Sequence, residues 1–147
     1  MSTTPLELAK DVLELINGTA AAGGVDMPTT QWAQLGTPVM TCDSVAVGIL
    51  ATREVALYDG KIQCGALLQS DVTCGIVREC SIEHDNTGHT VPEKVEEIAS
   101  QMEMDSVVLS TVAELMAGKT QGANISYSVE GGLALVNMVV TSEVVVW

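Results

Sequence analysis

Phenylalanine is absent from this chain, and aromatic residues of any kind make up only 3% of its 147 residues. Its core must therefore be built from Val, Leu, Ile, Met and Ala, which bury less area per side chain than aromatic rings. Cations are nearly as scarce: six Lys and Arg stand against nineteen Asp and Glu, a formal net charge of -13. Phosphates are gripped by clustered cations, so this balance excludes an electrostatic footprint for nucleic acid. It also opposes adsorption to an anionic membrane. Apolar runs are short and interrupted, so no transmembrane helix is expected. Met1-Ser2-Thr3-Thr4-Pro5 lacks the basic-then-apolar order of a signal peptide. Folding in a cytoplasm is the expectation, where the four cysteines would be free, buried thiols.

What is present suits one domain over residues 1–147, with 47% apolar residues to fill a core. Thr4, Pro5 and Glu7 mark a helix start, and Leu6, Ala9, Leu13 and Ile16 share a face. Asn17-Gly18 predicts its end, giving a helix over 5–17. Residues 18–40 lack a period and read as a loop, with Trp32 a plug over the first helix. A sheet is expected over 41–83. Val45, Val47 and Ile49 form one strand face, and residues 52–63 an exposed connection with a turn at Asp59-Gly60. Ala66, Leu68, Val72, Cys74, Ile76, Cys80 and Ile82 alternate with Asp71, Thr73, Glu79, Ser81 and Glu83.

A second helix is expected over 91–117, with a stripe of Val95, Ile98, Met102, Leu109, Val112 and Met116. Asp105 interrupts that stripe, either as a solvated residue at a kink or as a buried carboxylate with a partner; the solvated reading is the simpler. Closing strands follow over 124–147: Ile125 to Val129, a Glu130-Gly131-Gly132 turn, and a run from Leu133 to Trp147. A terminal strand of that length needs a pairing partner, in this chain or in a copy of it. The order helix, strands, helix, strands predicts an α+β fold, a mainly antiparallel sheet with two helices on one face.

Chemistry is hard to place on this pattern. Cys64, Cys74, Cys80, His84 and His89 lack the C-x2-4-C clip of a zinc module. Cys74 and Cys80 lie about 20 Å apart along a straight strand, at about 3.3 Å per residue. A disulfide joining Cys42 to Cys64 or Cys80 stays open. So does a small thiol- or metal-dependent enzyme using Cys80 and His84. No nucleophile, base and orienting group can be named together, no phosphate loop is present, and Gly131-Gly132 precedes no helix. No catalytic residue, cofactor or metal is therefore assigned.

Four short motifs carry a resemblance. Gly36-Thr37-Pro38-Val39-Met40-Thr41-Cys42-Asp43 followed by Val45-Ala46-Val47 resembles a segment of neck proteins in tailed phages of actinobacteria. The same holds for Cys74-Gly75-Ile76-Val77-Arg78-Glu79-Cys80, for the helix around Asp105-Ser106, and for the turn Val129-Glu130-Gly131-Gly132-Leu133. The order of elements is similar to that of the tail-terminator family of long-tailed phages. That resemblance implies a virion protein of the neck, assembled in the host cytoplasm. It implies a homo-oligomeric ring, a hexamer, that caps the tail tube and joins it to the head connector or stopper. DNA would pass through the lumen without specific binding, and no membrane would be involved. Arg53, Tyr58 and Lys61 on the connection, and Gly131, Gly132 and Trp147 at the closing strands, are the expected interface residues. A different head-completion, connector or tail-tube-like subunit is the alternative within the same class.

Overall fold

The computed structural model describes residues 4–39, 41–58, 63–79, 92–116, 119–130 and 132–146, and the side chains of all these except 55–58, 63–67, 119–121 and 144–146. The elements in chain order are α1 (Pro5–Ala22), β1 (Thr30–Leu35), β2 (Ser44–Tyr58), β3 (Gln63–Glu79), α2 (Pro92–Leu115), β4 (Lys119–Glu130) and β5 (Leu133–Val146). The strands form one sheet in the order β1-β2-β3-β5-β4. Every neighbouring pair is antiparallel except β1 with β2. Among the described residues this is an α+β fold with a five-stranded, mostly antiparallel sheet and two helices.

The core forms because three strands place apolar residues in common rows. Val45, Ile76 and Val136 make one row, Val47, Cys74 and Met138 the next, and Ile49, Val72 and Val140 a third. All are buried. Leu8, Ala9, Val12, Ile16 and Ala20 of α1 join the same cluster, as do Met102, Val108, Leu109, Val112 and Met116 around α2. Both helices thus cover one face of the sheet. Full burial of a Val, Leu or Ile is worth about 1.5–3 kcal/mol. With no aromatic in that cluster, stability is spread over many such contributions.

α1 starts where the sequence predicts. Pro5 opens it, and the Glu7 backbone N–H donates to Thr4 Oγ1 at 3.2 Å. It does not stop at residue 17 but runs on to Ala22. Asn17 is held by its side chain instead of turning the chain: its Nδ2 donates to the Leu13 carbonyl one turn back in α1 and to Gln31 Oε1, and Gln31 Nε2 donates back to Asn17 Oδ1 at 2.9 Å.

That exchange pins α1 to β1, a strand inside the expected loop 18–40. Gln31 faces α1, so its neighbour Trp32 faces away from it. Trp32 is half-buried and its Nε1 donates to Gln34 Oε1 at 2.8 Å. It is not a plug over the first helix.

The connection from β1 to β2 is short for a parallel pair. It folds across the face away from the helices and closes on Gly48. Gly36 N–H donates to the Ile49 carbonyl at 2.8 Å, and Pro38 lies over Gly48 where a side chain would stand. Gly36 (φ +92°) and Asp43 (φ +44°) supply the left-handed turns at the two ends. Asp43 Oδ1 accepts from the Glu79 backbone N–H at 2.9 Å, tying the loop to the end of β3.

β2 also departs from expectation, continuing to Tyr58 through the stretch read as a connection. A register shift between Ile49 and Ala51 carries it past Leu50. The expected turn at Asp59-Gly60 and the loop 83–90 lie outside the described residues. α2 spans Pro92–Leu115 against the expected 91–117, and Val95 is exposed instead of lying in the stripe. β4 begins at Lys119, earlier than 124, with an irregularity between Gln121 and Asn124 at Gly122 (φ +43°). Among the described residues, no helix is long and apolar enough to cross a membrane.

Candidate functional site

Two surfaces of the sheet carry features from which contacts with other molecules can be built: the part beyond its helical cover and the face opposite the helices. The outer strands are shorter than the inner ones. β1 ends at Leu35, opposite Ile49, and β4 begins at Lys119, opposite Glu143. Beyond those rows only β2, β3 and β5 continue, to Tyr58 and Val146. The result is a three-stranded arm. Its rows include Glu54-Leu68-Val144, Val55-Leu67-Val145 and Ala56-Ala66-Val146. Two consecutive rows are apolar throughout. An antiparallel sheet with one solvated face alternates apolar and polar rows, and the arm does not. Among the described residues nothing pairs with the outer side of β2 from Leu50 onward. Unpaired strand edges of this kind are templates for another chain.

On the face opposite the helices, polar side chains bridge the strands. Arg53 Nε donates to Gln69 Oε1 at 2.8 Å, and its guanidinium pairs with Asp71 at 3.1 and 3.3 Å. Thr141 Oγ1 donates to Asp71 Oδ1 at 2.9 Å. Gln69 Nε2 donates to Glu143 Oε1 at 2.8 Å, and Thr73 Oγ1 to Asn137 Oδ1 at 3.1 Å. The Arg53 hydrogen bonds, then that of Thr141, hold the Asp71 carboxyl below the usual carboxylate range. Cross-strand pairs of this type set register at modest energy.

The expected interface residues divide accordingly. Arg53 sits in β2, not in a loop, and its guanidinium is engaged with Asp71. Gly132 turns the β4–β5 hairpin with φ +79°, between the paired residues Glu130 and Leu133. Tyr58 ends β2 opposite Gln63, at the far end of the arm. The Tyr58 side chain and all of Lys61, Gly131 and Trp147 lie outside the described residues.

The pairing that sequence reasoning missed is Arg78 with Asp105. Arg78 follows Ile76 on the helix-facing side of β3. Its Nε and Nη2 reach the two Asp105 carboxylate oxygens, each at 2.8 Å. Gln101 Nε2 adds a donor at 3.3 Å, and Arg78 Nη2 also donates to the Asp26 carbonyl. The Asp105 side chain is 2% exposed and that of Arg78 20%. The solvated reading of Asp105 is therefore overturned. The available signal was two charges at positions predicted to be apolar-facing, one on β3 and one on α2.

The motifs behind the resemblance meet at these joints. The loop motif supplies Gly36, Pro38 and Asp43, the strand motif Arg78 and Glu79, and the helix motif Asp105. These contacts tie the crossing loop, β3 and α2 together.

Cys74 is buried in the core, and burial pushes its thiol up to about 12. Cys42 is exposed. Brief alkylation of the native protein followed by peptide mass mapping should label Cys42 and leave Cys74 unmodified until denaturant is added. Labelling of Cys74 at the rate of Cys42 would show that the core opens readily. Cys42 carries a free thiol, so the disulfide left open for it, to Cys64 or to Cys80, is not formed. The Cys64 side chain, Cys80, His84 and His89 lie outside the described residues. Among the described residues no three His, Cys, Asp or Glu side chains are grouped to hold a metal ion.

No protein-family model and no curated protein matches this chain. Among solved structures it is similar to a chain from the virion of a native gene transfer agent (GTA) particle. That likeness has 12% identity and a TM-score of 0.40, and covers 92% of each chain.

Proposed function

We propose that this chain is a structural subunit of a phage-like virion, which assembles by sheet contacts between copies into a ring at the neck. Its role in this reading is tail terminator: the ring, a hexamer, caps the tail tube and receives the head connector or stopper. The observation that carries the reading is the three-stranded arm, with an unpaired β2 edge and consecutive apolar rows. Such a segment gains stability by laying its edge and faces on a neighbour.

Three further features support it. The element order matches the one the resemblance implies. The residues of the resembling motifs occupy structural joints. The net charge of -13 leaves a lumen that would not grip passing DNA. Head-to-tail ring contacts are heterologous, so the β2 edge of one copy would meet a different surface of the next.

The reading is tested by native mass spectrometry and negative-stain imaging of the purified protein, alone and with tail-tube protein. Rings are expected, and replacing Val55 and Leu67 with Lys should abolish them. A monomer under both conditions would overturn the reading. Rings seen against the head rather than the tube would reassign the subunit to a connector.

A further inference from the structure

The side of the helical layer away from the sheet carries a groove that neither the core nor the arm explains. α1 and α2 lie side by side, and two cavities open along the seam between them. One, of 430 Å³, is lined by Leu8, Asp11, Glu14 and Leu15 of α1 with Leu115 and Met116 at the end of α2. The other, of 440 Å³, is lined by Thr19, Ala22 and Val25 with Met104, Val107 and Thr111. On α1 the positions 8, 11, 15, 19 and 22 recur every three or four residues, so both cavities lie on one flank of that helix. On α2 the positions 104, 107, 111 and 115 do the same. The two cavities therefore follow one another along the same seam, which spans about 20 Å at 1.5 Å per residue, and are treated as one groove.

Its floor and wall are apolar and open: Met104 is 43% exposed, Leu115 56% and Val107 60%. A row of outward apolar residues at helical spacing on an exposed helix has no role in the monomer's own core. Thr19 Oγ1, in the lining of the second cavity, is buried without a hydrogen-bond partner among the described atoms. The rim is acidic. Glu14 flanks the groove on α1. Glu103 and Glu114 flank it on α2, at the spacing that puts them beside Val107 and Thr111.

Charge decides between occupants. A second copy brings six cations against nineteen carboxylates. Of its cations with described side chains, Arg53, Arg78 and Lys94 already face Asp71, Asp105 and Glu97, and Lys10 lies on α1 beside Asp11 and one turn from Glu14, on the groove's own acidic side. The copy would place net negative charge on a negative rim. We infer that the α1–α2 groove docks an amphipathic, lysine- or arginine-rich helix of a different protein, apolar face down, with its cations against Glu14, Glu103 and Glu114. This surface is separate from the arm and does not depend on the ring.

The test uses the full chain and a fluorescent synthetic peptide of about 18 residues, with leucines at i, i+3, i+4 and i+7 and lysines on both flanks. A scrambled peptide of the same composition and a peptide with Glu for Lys serve as comparisons. Anisotropy titration should show saturable binding of the first only, weakened as salt is raised. Val107→Asp and Met104→Asp should each weaken it about tenfold or more, which is about 1.4 kcal/mol or more. Both residues are exposed, so the fold should survive these changes, as circular dichroism would verify. Glu103→Lys with Glu114→Lys should weaken binding and flatten its salt dependence.

Equal binding of the scrambled peptide would reduce the effect to bulk charge attraction and overturn the proposal. So would unchanged affinity in both aspartate variants. Loss of self-association in Val107→Asp would make a second copy the occupant and overturn it as well. If rings form and no peptide binds, the groove proposal fails while the assembly reading stands.

Discussion

Arg78→Met should lower the stability of this protein by about 3–5 kcal/mol, the usual cost of removing one partner from a buried ion pair. For a chain of this size that is a fall in Tm of roughly 10 °C or more. The reason is asymmetry of burial. Asp105 is 2% exposed and keeps only the Gln101 amide, at 3.3 Å, as a described donor once the guanidinium is gone. A carboxylate left so deep cannot recover its hydration. Asp105→Ala should cost less, because Arg78 is 20% exposed and can swing its guanidinium toward water. The double variant Arg78→Met with Asp105→Leu should regain most of the loss, since well-packed apolar residues often replace a buried pair without penalty. Thermal melts of the four proteins measure this. An Arg78→Met melt equal to wild type would show that the pair does not hold β3 to α2.

Gly48→Val is expected to be the most damaging substitution in the sheet. A Cβ at position 48 would run into the Gly36 carbonyl oxygen and lie 2.8 Å from Pro38 Cδ. Neither is a flexible side-chain tip that can swing away. The Gly36 N–H bond to Ile49 pins the loop from below, and Asp43 pins its far end to Glu79. Gly48→Ala should therefore cost about 1–3 kcal/mol as overpacking. The two extra methyl groups of Val should push the crossover off the sheet, separating β1 from β2 and leaving little soluble protein. Gly18→Ala is the contrasting control. Gly18 lies inside α1 with nothing within 4 Å of its missing Cβ, so alanine there should stabilise by about 0.5–1 kcal/mol. Denaturant midpoints for the alanine variants, with the soluble yield of Gly48→Val, separate the two cases. A Gly48→Ala midpoint at or above wild type would show that the crossover does not close on the sheet as described.

Much of the framework was legible because it follows from periodicity. The faces Val45-Val47-Ile49 and Val72-Cys74-Ile76 lie in the core, as their alternation predicts. The α1 cap at Thr4 is read from three adjacent residues. The errors share one physical cause: each element was decided by a partner distant in sequence. β1 carries Gln31, Trp32 and Gln34 and looks irregular, yet it is a strand because β2 and α1 receive it. β2 passes through the polar residues Thr52, Arg53 and Glu54 because β3 offers Ser70, Gln69 and Leu68 opposite them. Asn17-Gly18 would end an isolated helix, but Gln31 holds the Asn17 side chain and the helix continues. For the expected interface, the pairing of Arg53 with Asp71 and the arm that carries Tyr58 are visible only once register is known.

The amino-acid order by itself determined the α+β class, the composition of the core and the acidic charge, since these depend on local alternation and on counts. Only tertiary structure decided which strands outrun their neighbours to form an arm, that Arg78 and Asp105 are one buried pair, and that Gly48 carries a crossing loop. The reason is that strand pairing and charge pairing join residues far apart in the chain. Their energy depends on distance and burial in the folded state, and no local window of sequence contains either.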